Sequence, residues 1–323
     1  MSDLLDKCEV CGALIDEEDL FCANCGTAAP HPPQDTDRSA NVWTHSFQCG
    51  GCGASMSYDA SARALACPFC GQQRLQERPD TRSLSPRRVV PFALDQNAAV
   101  ARLRKWLGRG FWRPGDLSSA AVVHRMAAVY VPYWSFSART HTYWTADSSR
   151  TPPGARASWY PLWGEHRGEY RGLLIGASGA LSPAETHAIC PFDLARAVKP
   201  DEVDLENATL EQFRVQRKYA RPLARAGIEQ LERQTCQSRY VPGSCRNMKV
   251  NVRVEGQTSE PILLPVWIMA YRYRDQTYRF LVNGQTGKAT GKAPISYKKI
   301  ALAVGIALAL LAGLVLVRAA AGG

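Results

Sequence analysis

Apolar residues recur at helical spacing in two parts of the chain. The run LDQNAAVARLRKWLGRG predicts an amphipathic helix with a cap at Asp95 or Asn97 and a stop at Gly108. Residues 206–235 predict a longer helical region that is broken near Pro222, where a proline suits the first turn of a second helix. Both regions interleave basic with other polar residues on the side that we expect to face solvent.

Two other segments, 128–144 and 262–282, are rich in β-branched and aromatic residues and predict strands. Both contain a Pro-x-Trp sequence, which marks a weak internal repeat: Pro132 and Trp134 in the first, Pro265 and Trp267 in the second. Asn283-Gly284 then supplies a turn. The helices and strands together predict a central mixed α+β domain with antiparallel strands.

The last part of the chain has a different pattern. Residues 300–317 form an uncharged run of apolar residues, about 27 Å long as a helix, which predicts one C-terminal transmembrane helix over 298–318. Four lysines precede the run closely and one arginine follows it, which favours a single-pass protein of the cell inner membrane with its N-terminal bulk in the cytoplasm. Because only 319–323 follow the helix, we expect the protein to be tail-anchored.

Eight of the eleven cysteines form four Cys-x-x-Cys pairs, each followed by glycine. The segments CEVCGALIDEEDLFCANCG and CGGCGASMSYDASARALACPFCG each contain two pairs. Two thiolates at this spacing can share one tetrahedral metal ion, and the glycine permits the positive φ that such a knuckle needs. The pairs predict two zinc ribbons, each holding one structural Zn²⁺ ion through four sulfurs; the ligands are Cys8, Cys11, Cys22 and Cys25 in the first and Cys49, Cys52, Cys67 and Cys70 in the second.

Thiolate ligands also suit iron, so a rubredoxin-like electron carrier is the alternative for the metal. Paired cysteines and a start without a signal peptide indicate a reducing compartment rather than a disulfide-bonded secreted protein. His187, Cys190, Cys236 and Cys245 can be imagined as a further site, although their spacing matches no known ligand pattern. Reduced, partly buried thiols are the simpler interpretation.

The formal net charge of +10 raises nucleic acid as a partner, but its distribution weakens that idea. Residues 1–40 carry a net charge of −7, and the acidic loop of the first ribbon repels phosphate. Two Cys₄-bound zinc ions would lower the total charge to about +6. We therefore disfavour nucleic acid without excluding it.

Enzyme motifs are not recognisable in this sequence. VNGQTGKAT ends like a phosphate-binding loop but lacks the earlier glycine and the magnesium-binding hydroxyl, and a hairpin turn explains it better. A metal held by four protein ligands leaves no open position for a substrate. We predict a protein without enzymatic activity.

The predicted order of segments is zinc ribbon 1 over 1–28, a linker over 29–44, zinc ribbon 2 over 45–76, a basic linker over 77–88, the central domain over 89–297, the transmembrane helix over 298–318 and a short tail over 319–323.

Three segments, VVPFALDQNAAVARLRKWL, VYVPYWSFSA and LLPVWIMAYRYRDQTYRFLVNGQTGKATGKAP, resemble a bacterial family of tail-anchored zinc-ribbon membrane proteins, often labelled TFIIB-type zinc-ribbon or helicase or primosomal-protein relatives. No helicase motor motif accompanies the cysteines. The resemblance implies a role in phage-shock-type envelope stress, with phage-shock protein A or band-7-type scaffold proteins as partners. The chain departs from that pattern by its additional first ribbon and by its region 145–200.

These observations predict an adaptor that recruits protein partners to the cytoplasmic face of the membrane. The alternative is a membrane-tethered nucleic-acid-binding protein that uses the second ribbon and the arginines of the basic linker.

Overall fold

The computed structural model describes residues 6–12, 14–15, 27, 46–57, 66–78, 84–205, 208–274 and 276–321. Within these residues the fold is mixed α+β and is built around one large sheet of ten strands, with a separate two-stranded sheet near the N-terminus. The predicted combination of helices with antiparallel strands is therefore present.

The described residues form twelve β-strands and five α-helices. The strands are β1 (Asp6–Lys7), β2 (Leu14–Ile15), β3 (Ser46–Cys49), β4 (Ser55–Ser57), β5 (Leu75–Arg78), β6 (Arg88–Val89), β7 (Val122–Ser148), β8 (Tyr160–Gly176), β9 (Thr209–Glu211), β10 (Cys245–Tyr273), β11 (Gln276–Asn283) and β12 (Ala289–Gly291). The α-helices are α1 (Gln96–Leu107), α2 (Leu117–Ala120), α3 (Pro183–Ala188), α4 (Arg217–Tyr240) and α5 (Tyr297–Ala321).

The two longest strands, β7 and β10, form the centre of the large sheet. They pair antiparallel along nearly their whole length, from Cys245 opposite Ser148 to Arg272 opposite Val122. Along the main path of the sheet the order is β12-β11-β10-β7-β9-β4-β3-β5, with β6 also pairing β10 and β8 also pairing β7. The strands of the second cysteine segment, β3 to β5, thus continue the main sheet through the pairing of β4 with β9.

Each Pro-x-Trp sequence marks the place where a central strand changes its outer neighbour. On β7 the neighbour is β9 before Pro132 and β8 after it, and on β10 it is β6 before Pro265 and β11 after it. Proline has no N–H to donate in a hydrogen bond to an outer neighbouring strand, so it fits where strand pairing is interrupted. Its carbonyl is still used, because Pro132 accepts from Ala177 N–H at 2.9 Å and Pro265 accepts from Gly284 N–H at 2.8 Å.

The tryptophans of the two repeats also play equivalent roles. Trp134 Nε1 donates to the carbonyl of Val215 at 2.8 Å, and Trp267 Nε1 donates to the carbonyl of Leu94 at 2.9 Å. Val215 lies two residues before α4, and Leu94 lies two residues before α1. The weak internal repeat therefore corresponds to one device used twice, in which a tryptophan of a central strand ties down the start of a helix.

Helix α1 agrees closely with its prediction, whereas α4 does not. Asp95 accepts from Ala98 N–H at 2.7 Å and caps α1, which ends before Gly108. The predicted break near Pro222 is wrong, because α4 runs unbroken through this residue. Its stripe of small and apolar residues on both sides of the proline is fully buried against the sheet, and this burial outweighs the hydrogen bond that proline cannot make.

Close packing of α4 on the sheet depends on glycines of β8. A side chain at Gly164 would lie 2.8 Å from the ring of Trp144, and one at Gly168 would collide with Oε1 of Glu232. Glu232 of α4 is fully buried, and this oxygen accepts from the hydroxyl of Tyr170 at 2.9 Å and from that of Thr140. Glycine at these positions leaves the room that a bulky ring and a buried carboxylate occupy.

The C-terminal helix α5 differs from its prediction as a transmembrane helix. In the part of the chain that the structure describes, no helix combines the length and the apolar character needed to cross a membrane. The predicted transmembrane helix over 298–318 is wrong on this evidence, and so is the placement at the inner membrane.

Replacing Gly168 by alanine tests the packing between α4 and β8. The added methyl group would push against Glu232 and Thr140, so we expect the G168A change to lower the free energy of unfolding by about 2 kcal/mol. Urea unfolding followed by circular dichroism measures this loss. Gly115 has open space around it and provides the matched control, G115A, which should change stability by less than about 0.5 kcal/mol. Equal effects at both positions would contradict the proposed crowding.

Candidate metal centre

The second cysteine segment folds into two knuckles with the same backbone geometry. In the first, the N–H of Gly53 donates to the carbonyl of Cys49 at 3.0 Å; in the second, Gly71 donates to Cys67 at 2.9 Å. Gly53 has φ +73° and Gly71 has φ +82°, which confirms the positive φ expected after each pair. The turn folds the two sulfurs of each pair towards one point.

The four sulfurs of the segment lie together as a cluster. Cys49 Sγ is 3.4 Å from Cys70 Sγ, Cys52 Sγ is 3.5 Å from Cys67 Sγ, and all four atoms lie within 4.8 Å of one another. A tetrahedral ion with metal–sulfur bonds of about 2.3 Å separates its sulfurs by about 3.8 Å. These distances and the soft donor set fit one metal ion held by Cys49, Cys52, Cys67 and Cys70.

The cluster belongs to the hydrophobic core of the large sheet. Cys49 and Cys67 are fully buried, Cys52 is partly buried and Cys70 is exposed. The buried cysteines pack with Met56 and Phe69 of the same segment against apolar residues of β7, β10 and β11, among them Val129, Val131, Ile262, Val266, Ile268 and Leu281. The second ribbon therefore lies against the central body instead of standing free of it.

Burial and the contacts between these thiols shift their pKa values in opposite directions. The hydrogen bond from the thiol of Cys67 lowers the pKa of Cys52 to about 5. The same contact, together with burial, raises the pKa of Cys67, and burial raises the pKa of Cys70. Four thiolates this close repel one another strongly, so a cation shared among them is what allows all four to ionise.

A buried carboxylate joins this segment to the rest of the sheet. Glu211 of β9 lies opposite Met56 of β4, and its Oε1 accepts from the hydroxyl of Ser178 at 2.7 Å and from the N–H groups of Gly179 and Ala180 at 2.9 and 3.1 Å. Burial raises the pKa of Glu211 to about 7 despite these hydrogen bonds. The carboxylate fixes the loop after β8 beside the strand that carries the ribbon.

Arg125 of β7 makes a second link, since its guanidinium donates to the carbonyl of Cys67 at 3.3 Å. Sequence reasoning missed both Glu211 and Arg125. Glu211 is an acidic residue next to the buried Leu210 in a short strand, which is a weak signal of a buried hydrogen-bonded carboxylate. Arg125 carries no local signal, because its partner is 58 residues away along the chain.

Only the first half of the other predicted site can be compared with the structure. Cys8 and Cys11 lie in a knuckle of the same kind, in which Gly12 N–H donates to the carbonyl of Cys8 at 2.8 Å and Gly12 has φ +69°. Cys22 and Cys25 lie outside the described residues. The first Cys₄ site accordingly stays a prediction.

The speculative third site is not assembled. Among the described residues, the cluster of Cys49, Cys52, Cys67 and Cys70 is the one group of three or more histidine, cysteine or acidic side chains placed to hold a metal. Cys190 donates instead to the carbonyl of Thr186 at 3.3 Å, and burial raises its pKa to about 11. Cys236 is fully buried in α4, in agreement with the interpretation of these residues as reduced thiols.

A curated bacterial protein is similar to this chain over most of its length. The uncharacterized protein YdjG of Bacillus subtilis (strain 168) is 25% identical over 313 residues, which covers 79% of this chain and 92% of YdjG. No protein-family model matches the chain, and no solved structure matches it. The similarity to YdjG extends over most of both chains, and the description of YdjG assigns it no activity.

Metal analysis of the purified full-length protein tests the cluster. We expect the C52S change to lower the metal content by one ion per chain and to lower the thermal midpoint, because two ligands of this ion are part of the core of the large sheet. Inductively coupled plasma mass spectrometry gives the content. The C190S change alters a partly buried thiol outside the cluster and should leave the content unchanged. An unchanged metal content in C52S would contradict the assignment.

The link through Glu211 is tested by the E211A change. It would leave the Ser178 hydroxyl and two backbone N–H groups without their acceptor, so we expect the free energy of unfolding to fall by about 3 kcal/mol. The E211Q change keeps the accepting oxygen and should cost about 1 kcal/mol. Chemical denaturation of the metal-loaded protein at constant pH measures both. Equal losses for the two variants would show that the hydrogen bonds are not responsible.

Proposed function

We propose that this protein is a non-enzymatic adaptor in which structural zinc ions stabilise a scaffold that binds protein partners. The observation that carries the proposal is the closed set of four cysteines within the core. Four protein sulfurs saturate a tetrahedral zinc ion and leave no position for a substrate or an activated water. Such a site contributes folding energy and not catalysis. The proposal includes a second zinc ion at Cys8, Cys11, Cys22 and Cys25.

The open side of the sheet formed by β8, β7 and β10 is the partner surface that we propose. Side chains alternate along residues 137–148 of β7, 162–171 of β8 and 248–258 of β10, so that in this part of the sheet one side faces α4 and the other is exposed. The exposed side carries Trp163, which is 81% exposed, and Tyr143 on the neighbouring strand, which is 48% exposed. Around them lie arginines and carboxylates, so this surface carries charges of both signs. Tryptophan, tyrosine and arginine are the residues that contribute most at protein interfaces.

The charges of this surface favour a protein over a nucleic acid as the partner. Its carboxylates lie beside its cations: His141 Nε2 is 2.8 Å from Glu165, and Arg253 Nε is 3.3 Å from Glu255. Phosphate groups would be repelled by these carboxylates. In the basic linker, Arg88 is already paired with Glu260, which reduces the positive charge available there. The nucleic-acid alternative is therefore the weaker of the two.

Phage-shock protein A and band-7-type scaffold proteins, the partners implied by the sequence resemblance, are the first candidates to test. Both can be purified and added to the full-length protein, so that binding is measured directly. A salt titration separates the two hypotheses, because nucleic-acid binding would weaken steeply as salt is raised.

A binding experiment with W163A tests the proposed surface. We expect removal of this exposed ring to weaken partner capture, in a crosslinked pull-down or with a purified candidate, by at least about tenfold. Y297A removes an equally exposed ring at the start of α5 and should leave binding unchanged. The variant with both C67S and C70S should lose binding indirectly, through loss of structure. A protein that binds partners equally well with and without Trp163 would contradict the surface, and salt-sensitive binding of RNA or DNA alone would contradict the adaptor.

A further inference from the structure

The outer edge of β8 has no neighbouring strand among the described residues, and only the end of β8, at Gly172 and Gly176, lies against Leu194 and Thr186. β8 pairs with β7, from Tyr160 opposite Ser148 to Gly176 opposite Tyr133, and with no other described strand. The N–H of Gly168 points towards β7, where it donates to the hydroxyl of Thr140 at 3.2 Å. Since N–H directions alternate along a strand, the N–H groups of its neighbours point to the outer edge. An exposed edge of this kind can accept another strand.

The charges along this edge are self-complementary. On the open side of the sheet, Glu165, Arg167, Glu169 and Arg171 follow one another at every second residue, and all four are exposed. An antiparallel copy centred on Gly168 would place Glu165 opposite Arg171 and Arg167 opposite Glu169. By symmetry each pair would occur twice. Opposite charges directly across a strand pair stabilise it and like charges destabilise it, and this edge alternates its charges in an order that attracts its own copy.

The helix above this edge supports the same inference. α4 has two flanks beside its buried stripe, and contacts show where each flank lies: Gly227 adjoins Leu173 of β8, whereas Arg233 donates to the carbonyl of Met248 of β10 at 2.9 Å. The flank near β8 exposes apolar side chains, and the flank near β10 is charged. The exposed apolar residues are Tyr219 (63%), Leu223 (52%) and Leu231 (37%).

We propose that a second copy of this chain occupies the β8 edge, so that two β8 strands pair antiparallel about a two-fold axis at Gly168. An axis of this kind is perpendicular to the sheet and makes the two three-stranded parts continuous. Both α4 helices then lie on the same side of the joined sheet with their apolar flanks facing each other. Leu231 lies nearest the axis, because its neighbour Glu232 sits directly over Gly168.

The contacts within one chain do not oppose this pairing. Glu169 is 2.6 Å from Arg171, and Glu165 is 2.8 Å from His141, both at exposed positions. Exposed ion pairs of this kind contribute little to stability, so these side chains can exchange partners at low cost. The interface therefore combines main-chain hydrogen bonds, four ion pairs and an apolar contact between helices.

Charge reversal provides the test, with the mass of the full-length protein measured by analytical ultracentrifugation over a range of concentrations. Non-ionic detergent is included to cover the exposed apolar side chains of α5, such as Leu302, Val304 and Leu310. We expect a species of twice the 35.5 kDa of one chain. R167E would place two glutamates opposite each other twice and should weaken the dimer about ten- to hundredfold. The double change R167E with E169R restores opposite charges about Gly168 and should restore the dimer.

The double variant also tests the register. If the two-fold axis lay at His166, Glu165 would face Arg167, and the double change would not rescue association. L231E should weaken the dimer independently, whereas R225E, on the other flank of α4, should not. Circular dichroism confirms that each variant is folded. A monomer at all concentrations, a dimer that none of these changes affects, or a failure of the double variant to restore association would overturn the proposal.

Discussion

The pairing of β7 with β10 is the interaction on which the rest of this fold depends. Both strands are far longer than an average strand, and each has one edge occupied by the other. Their outer edges must then serve several shorter strands, and a proline divides each edge between two neighbours. The tryptophan that follows each proline by two residues holds the start of a helix. The Pro-x-Trp sequence therefore has two structural roles. Its proline ends one strand pairing, and its tryptophan positions the helix that covers the next part of the sheet.

The metal centre extends this sheet instead of forming a separate module. Strands as short as β3 and β4 cannot bury enough apolar surface to be stable alone. Four sulfurs placed to hold one ion can supply the stability that these strands lack, and the pairing of β4 with β9 joins the segment to the body. Glu211 stands at this junction with its carboxylate buried. Loss of the metal would therefore disturb the apolar cluster that contains Val129 and Ile268 as well as the ribbon itself.

Local patterns in the sequence predicted local structure well. The cap and stop of α1, the turn after Asn283 and the positive φ of Gly12, Gly53 and Gly71 depend on a few neighbouring residues, and the structure confirms them. Features that depend on distant contacts were not predictable. Burial of α4 against the sheet overrode the expected break at Pro222, and the partners of Cys67 and Met56 come from Arg125 and Glu211, far away along the chain. The membrane prediction depended on one apolar run and its flanking charges, and no helix in the described part of the chain meets the requirement for a span.

The surface proposed for partner binding and the edge proposed for dimer formation lie on the same part of the sheet, because β8 belongs to both. The open side of β8, β7 and β10 presents Trp163, and the edge of β8 presents the alternating charges. Pairing of two β8 strands would not cover the open side, because strands join edge to edge. It would instead place two copies of that side next to each other on one continuous sheet. A partner that is itself oligomeric could then bind both copies, and the second contact would form at a high effective concentration. An adaptor that paired in this way would gain affinity for assembled partners over single subunits without any additional contact surface.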